Sequence, residues 1–137
     1  MKKEHYMQTN GQAARRVVMV VYPDAHILDV VGPLEVLTGA KMFLPAETPT
    51  YEVHVVASAA GAVRTTSGLS IEAHESFADA RVDDRPIDTL IVAGGHGTLG
   101  AMEDRELLDF VEFAASKADR VVSICTGAMI LAEIGIL

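Results

Sequence analysis

The chain has one cysteine, Cys125, among 137 residues. A single thiol excludes an internal disulfide framework and fits a reducing compartment. No apolar run approaches the roughly 18–20 residues needed to cross a bilayer. The first fifteen residues lack the apolar core of a signal peptide. A soluble, cytoplasmic protein is expected, with no membrane partner. Basic residues are few: 11 Lys and Arg stand against 19 Asp and Glu, for a net charge of −8. Phosphate contacts need a basic face, so direct nucleic-acid binding by this chain is not expected. Repeats and low-complexity tracts are absent. The Lys-Ser/Thr ending of a phosphate loop is missing. His5, His26, His54 and His74 show no metal-ligand spacing. Neither a metal nor a cofactor is expected.

Half of the residues are apolar, enough for one core and one domain. Residues 1–15 read as a flexible leader and 16–137 as the domain. Arg16 to Tyr22 is a continuous apolar run, as in a strand buried on both faces. Ile27 to Met42 reads as a helix, with Gly32-Pro33 near its true start, where proline costs least. Leu34 and Leu37 sit at helical spacing, with Val31 on the same side. Tyr51 to Ala57 is a second strand. Gly61 to Ile71 is β-prone and broken by glycine, which suggests a hairpin. Ser76 to Arg81 forms one helical turn. Thr89 to Ala93 is a third long strand. Asp104 caps a helix over Arg105 to Lys117, whose apolar face carries Leu107, Leu108, Val111 and Ala114. Val121 to Ile124 is a last strand, and Met129 to Ile134 a last helix, stopped by Gly135. Strands that alternate with helices imply an α/β fold, with a mostly parallel sheet between helical layers.

In such sheets ligands bind at the carboxyl ends of the strands. Three loops leave those ends: Pro23 to Asp29, Gly94 to Gly97, and Cys125 to Gly127. Cys125 stands on a strand–turn–helix elbow, where a thiol is exposed and helix-start amides favour the thiolate. A lone cysteine is more often a buried small hydrophobe. Asp29 lies among Ile27, Leu28, Val30 and Val31. It is either a helix-start carboxylate or a crevice neighbour of Cys125. Ionised, it would oppose the thiolate; protonated, it could donate to it. The amides of Gly94 and Gly95, with that of Thr126, could form an oxyanion hole; a plain tight turn is the simpler alternative. His96 is a base, a ligand-specificity residue or a solvated loop histidine. Arg64 to Ser67 could grip an anion or form a hairpin tip.

Asp29-Val30-Val31-Gly32-Pro33, Gly94-Gly95-His96-Gly97 and Ser123-Ile124-Cys125-Thr126-Gly127-Ala128 together resemble the DJ-1/PfpI superfamily. Within it they look most like the amidotransferase-like N-terminal domain of AraC-family (GlxA-type) transcriptional regulators. Val63 to Leu69 and Leu131 to Leu137 add to the resemblance, which covers about residues 16 to 137. It implies a flavodoxin-like, class I glutamine amidotransferase-like sandwich, a homodimer and a small-molecule ligand. Cys125 matches the family cysteine, Asp29 the acidic residue beside it, and Gly95 and Thr126 the oxyanion-hole amides. His96 stands where the family usually has proline. Members of the family continue through another strand that bears a histidine. The chain is therefore expected to be incomplete at its carboxyl end, with an uncovered sheet edge. DNA contact would fall to a helix-turn-helix domain outside it. Two functions are expected to compete: ligand sensing for such a regulator, and cysteine-dependent lyase or hydrolase chemistry of the isonitrile hydratase kind. In the second, Cys125 is the nucleophile and Asp29 the acid or base. A folded remnant with no function of its own is the third.

Overall fold

β-branched residues dominate the runs that become strands, and the strands they form are parallel. The computed structural model describes residues 13–137. Its main sheet has five strands: β1 (Arg15–Val20), β2 (Tyr51–Ala57), β5 (Glu75–Ser76), β6 (Ile87–Val92) and β7 (Ala118–Ser123). Their order is β5-β2-β1-β6-β7, and every pair is parallel. β3 (Gly61–Arg64) and β4 (Ser70–Ala73) form a separate antiparallel hairpin. The flavodoxin-like α/β sandwich expected from the sequence is thus present.

The pleat divides each strand between two layers. Val18 and Val20 of β1 face one core, with Leu90 and Val92 of β6. That face is covered by α2 (Phe77–Val82), α3 (Thr98–Glu103), α4 (Arg105–Lys117) and α5 (Gly127–Glu133). Phe77 and Phe110 stack there with ring centres 4.6 Å apart. Val17 and Met19 face the opposite core, with Val55 and Ile91, under α1 (Ile27–Gly39) and the hairpin. Central strands buried on both sides explain the unbroken apolar runs that mark them in the sequence.

The helix over Arg105–Lys117 starts where its cap requires. The Asp104 carboxylate accepts the Leu107 amide at 3.2 Å, filling one of the four orphan donors of the first turn. α2 is capped in the same way by Ser76, whose hydroxyl accepts the Asp79 amide at 3.0 Å. Other boundaries differ from expectation. β1 begins at Arg15, which pairs with Tyr51 and so belongs to the sheet rather than to a leader. The rest of the expected leader, residues 1–12, lies outside the described residues. Gly32-Pro33 is not near the start of α1: His26 is its N-cap, and Pro33 lies inside it. Proline fits there because its fixed φ is helical, at the loss of one hydrogen bond. Val30 is the buried valine of α1, whereas Val31 is 37% exposed. α3 was not anticipated; it is a single short helix between the glycine loop and Asp104.

β7 is an edge strand of the described sheet. Val122 on it is exposed. With Pro33, Val36, Leu37, Ile91 and Ile124 it lines an apolar groove of about 480 Å³ between α1 and β7. Among the described residues no helix is long and apolar enough to cross a membrane.

A buried arginine anchors the far end of the sheet. Arg16 is 4% exposed and donates to the carbonyls of Arg85 at 3.0 Å and Ala80 at 3.4 Å. Its guanidinium lies 3.5 Å from the Asp83 carboxylate. Asp83 also accepts hydrogen bonds from the Arg85 side chain at 2.7 Å and the Arg85 amide at 3.1 Å. The Arg85 side-chain bonds, helped by its amide and by the charge of Arg16, hold the Asp83 carboxyl well below its ordinary value, against a smaller opposing effect of burial. A depressed carboxylate stabilises the fold above its unfolded pKa and loses that contribution as pH falls toward the folded one. Stability is therefore expected to decline as pH drops below about 3.8. Urea titrations at stepped acid pH should show a shallower decline for Asp83→Asn than for the wild type.

Candidate functional site

The sheet order opens a crevice between β1 and β6. The chain leaves β1 toward β2 on one side, and β6 leads to β7 on the other. Loops at the carboxyl ends of β1 and β6 therefore diverge, the usual place for a ligand in an open parallel sheet. Here the loops are tied back together by their backbones. The His26 amide donates to the Gly94 carbonyl at 2.8 Å, and the Gly97 amide to the Asp24 carbonyl at 3.0 Å. Ala25 and Gly95 form an antiparallel bridge. The hairpin tip joins them, with the Thr66 amide on the Ala25 carbonyl at 3.2 Å and its hydroxyl on the Asp24 carbonyl at 2.8 Å. The Arg64 to Ser67 stretch is thus a hairpin tip that buttresses the first loop.

The third loop is the cysteine elbow. Cys125 is exposed and has φ 53°, a left-handed conformation that few non-glycine residues adopt. Such strain persists only where the surroundings enforce it. The Ile124 amide is held by the Val92 carbonyl at 3.0 Å, and the Gly127 amide closes the turn on the Ile124 carbonyl at 2.9 Å. Residue 127 must be glycine, because a Cβ there would collide with the Val92 carbonyl oxygen. Gly94 meets the same demand from the other side. A Cβ on it would stand 2.6 Å from the Thr126 amide nitrogen and 2.7 Å from the Thr126 hydroxyl.

Asp29, the third residue of α1, is 9% exposed. Its Oδ2 accepts the Gly94 amide at 3.1 Å, and its Oδ1 lies 3.3 Å from His26 Nδ1. Gly94 therefore has the Asp29 carboxylate on its amide and the cysteine elbow against its Cα. Asp29 thus faces the glycine loop through the Gly94 amide, and the three loops meet as the topology demands.

The glycine amides behave otherwise than expected. Both are engaged within the protein: Gly94 donates to Asp29, and Gly95 donates to the Thr126 hydroxyl at 2.9 Å. Buried acceptors require donors, and these two lie nearest. Thr126 likewise does not cap its own helix. Its hydroxyl belongs to a buried cluster with Tyr22 and Thr98. Each hydroxyl has one hydrogen to give. Tyr22 gives its own to the Ala93 carbonyl at 2.7 Å. Thr98 gives its own to the Gly95 carbonyl at 2.8 Å. Thr126 is then left to donate to Thr98 at 2.7 Å. Tyr22 and Thr98 lie 3.2 Å apart. Burial pushes the Tyr22 phenol above its ordinary value, and the charges of Asp29 and Cys125 add to this; its side-chain contact with Thr98 works against them. Both groups thus act on the same phenol.

His96 is exposed and its ring has no hydrogen-bond partner among the described residues, which suits a solvated loop histidine at the rim. His26, by contrast, had no metal spacing to recommend it, yet it lies against Asp29. Thr98, Tyr22 and His26 are the site residues that the sequence did not single out. The i, i+3 spacing of His26 and Asp29 was the one local signal available. No group of three His, Cys, Asp or Glu side chains among the described residues is arranged to hold a metal.

Replacing Thr98 by valine keeps its shape and removes the hydroxyl on which Gly95 and Thr126 depend. A loss of about 1–3 kcal/mol is expected, the cost of stranding buried polar partners. Thr98→Ser, which keeps the hydroxyl, should lose less. Equilibrium urea unfolding of the two variants beside the wild type checks the order.

The chain is 32% identical over 124 residues to an isonitrile hydratase from Pseudomonas putida, covering 90% of this chain and 49% of that protein. It is 44% identical over 52 residues to an HTH-type transcriptional regulator from Mycobacterium tuberculosis, covering 38% of this chain and 20% of the regulator. A ThiJ/PfpI family protein from Pseudomonas syringae superposes with a TM-score of 0.76 at 29% identity, over 90% of this chain and 47% of that one. The chain thus spans about half the length of the hydratase and of that solved structure. The sequence profile of the DJ-1/PfpI family matches residues 15–137, and the chain belongs to that family.

Proposed function

We propose that this domain binds a small molecule on behalf of an AraC-family (GlxA-type) transcriptional regulator, with Cys125 at the centre of the binding pocket. The observation that carries this reading is the state of the glycine amides. An enzyme that builds charge on an oxygen needs donors aimed at it in advance. Here Gly94 donates to Asp29 and Gly95 to Thr126, so the glycine loop supports binding better than turnover. Similarity to an HTH-type regulator over 52 residues points the same way. A net charge of −8 suits a domain that leaves DNA to a helix-turn-helix partner domain; the domain is taken to work as a homodimer. Gly94, Gly95, His96 and Thr126 shape the pocket around the thiol, in the cytoplasm. The apolar groove reaches Ile124, next to Cys125, and favours a ligand with a polar head and an apolar tail.

A second reading is favoured by Asp29. A screened carboxylate hydrogen-bonded to the glycine loop that adjoins the elbow of an exposed thiol, with 32% identity to an isonitrile hydratase, suits the addition of water to an isonitrile to give a formamide. Cys125 would add through sulfur to the isonitrile carbon, which also takes up a proton to give a thioimidate; water would then add to that carbon and the C–S bond would break, releasing the formamide and the free thiol, with Asp29 passing the protons. Turnover then requires the Gly95 amide to leave Thr126.

One experiment separates the two. Alkyl isonitriles, small amides and amino acids are added singly, and both the melting temperature and formamide production are followed. Sensing predicts a saturable stabilisation, about 2.7 kcal/mol at a hundredfold excess over Kd, with the compound recovered unchanged. Formamide that disappears in Cys125→Ala establishes the hydratase instead. Neither stabilisation nor turnover with any compound removes both readings.

A further inference from the structure

We propose that a second cavity, apart from the thiol crevice, binds a small zwitterion with an apolar side chain, of the α-amino acid class. The cavity has a volume of about 210 Å³ and lies over the carboxyl ends of β1 and β2. Neither Cys125, Asp29, Thr126 nor the glycine loop lines it. Binding there is independent of the role given to Cys125.

Its walls come from both layers of the sandwich. The hairpin supplies Val63 and Arg64, on the side of α1. From the opposite layer come Phe77, at the start of α2, and Asp104 and Leu107, at the start of α4. Val63, Phe77 and Leu107 are buried, so the interior is apolar. The link between β2 and β3 borders the cavity with Ser58, Ala59 and Ala60, side chains too short to fill it. Backbone divides this cavity from the thiol crevice. Pro23 lines the cavity, and the next residue is held from both sides. The Asp24 amide donates to the Arg64 carbonyl at 2.9 Å, while the Asp24 carbonyl accepts the Gly97 amide at 3.0 Å.

Two opposite charges border the cavity and do not meet. Among the described residues no hydrogen bond or ion pair engages the Arg64 guanidinium. Asp104 enters no ion pair either. Its Oδ1 accepts the Leu107 amide at 3.2 Å, and its other oxygen has no partner among the described residues. Carried on different layers of the fold, the guanidinium and the carboxylate are each left for a third body.

An amino acid presents a carboxylate and an ammonium on one carbon. The carboxylate suits Arg64, whose planar fork can hold it through two parallel N–H bonds. The ammonium suits the open oxygen of Asp104. The side chain then enters the apolar interior, where its burial is favourable. Pockets for drug-sized ligands run to about 300–1,000 Å³, so this smaller cavity takes a single amino acid rather than a peptide. A simple carboxylic acid would leave Asp104 without a cation and add to a net charge of −8. A simple amine would leave Arg64 unpaired.

Titration calorimetry with L-leucine tests this, with isocaproate and isoamylamine as analogues that each lack one of the two charges. Leucine should bind once per chain, and each analogue should bind about tenfold more weakly or worse, as expected when a hydrogen bond to a charged group is lost. Arg64→Gln should weaken leucine to a similar degree and leave isoamylamine unchanged. Asp104→Ser keeps a residue that can cap the helix but removes the charge. It should weaken leucine and leave isocaproate unchanged. Urea unfolding shows whether each variant is folded, and the analogue series on the wild type decides the matter for any that is not. Alkylation of Cys125, the only thiol in the chain, blocks the thiol crevice and should leave leucine affinity unchanged. Leucine binding that survives both substitutions, or that disappears on alkylation, places the ligand elsewhere and overturns the proposal. Analogues that bind as tightly as leucine overturn the zwitterion. No saturable binding of leucine, valine or phenylalanine at millimolar concentration overturns the site itself, whatever binds at the thiol.

Discussion

Gly94 and Gly127 let two stretches of backbone approach more closely than any side chain would permit. At residue 94 a Cβ would press on the Thr126 amide and hydroxyl, and at residue 127 it would strike the Val92 carbonyl. Without that approach the cysteine elbow could not sit against the end of β6. The left-handed backbone of Cys125 follows from it. Strand β7 aims the chain at the crevice, the helix after it must pack on the sheet, and the turn between them has too little room to relax. The thiol is left exposed at the top of the sheet because its backbone is pinned beneath.

The hydrogen bonds that seal this approach also set the chemistry. Closing three loops over a parallel sheet buries amides and hydroxyls that water can no longer satisfy. The protein pairs them with one another. Gly94 gives its amide to Asp29, and Gly95 gives its amide to Thr126, which leans on Thr98. Donors spent on cohesion are not available to a substrate oxygen. The site thus combines an exposed thiol, a screened carboxylate and a half-exposed imidazole, within a cluster of neutral hydroxyls. That combination suits recognition of a small polar group. Chemistry upon it would first have to break one of these internal bonds.

Sheet order places the pocket. With β1 in the middle and successive strands added first on one side and then on the other, the β1 and β6 loops part and leave a crevice. α1 enters it from one face and brings Asp29; the elbow enters from the β7 side and brings Cys125. The apolar groove between α1 and β7 begins where this pocket ends. β7 lies at the sheet edge among the described residues, so the groove and the edge strand adjoin the functional loops.

Local chemistry was sufficient for much of this. The strand at Tyr51–Ala57, the helix over Arg105–Lys117 with its Asp104 cap, the hairpin and the elbow at Cys125 could all be read from the sequence. Each depends on neighbouring residues alone: a β-branched run, a side chain that reaches its own helix, a glycine at a turn. Asp29 and Gly94 to Gly97 could be named for the same reason, as residues at the carboxyl ends of strands. The sequence did not determine where Pro33 falls in α1, because either place suits its φ. Nor did it determine that Val30 rather than Val31 meets the core, which depends on how the helix rolls onto the sheet. Least visible were the partners of the glycine amides and the place of His26 beside Asp29. Donors on the glycine loop choose among acceptors brought from α1 and the elbow, residues distant in the chain, and only packing the two layers decides which acceptor is nearest. By itself the sequence determined which residues could do chemistry. The tertiary structure decided which of them are already occupied with one another, because hydrogen-bond pairing is settled by proximity in space.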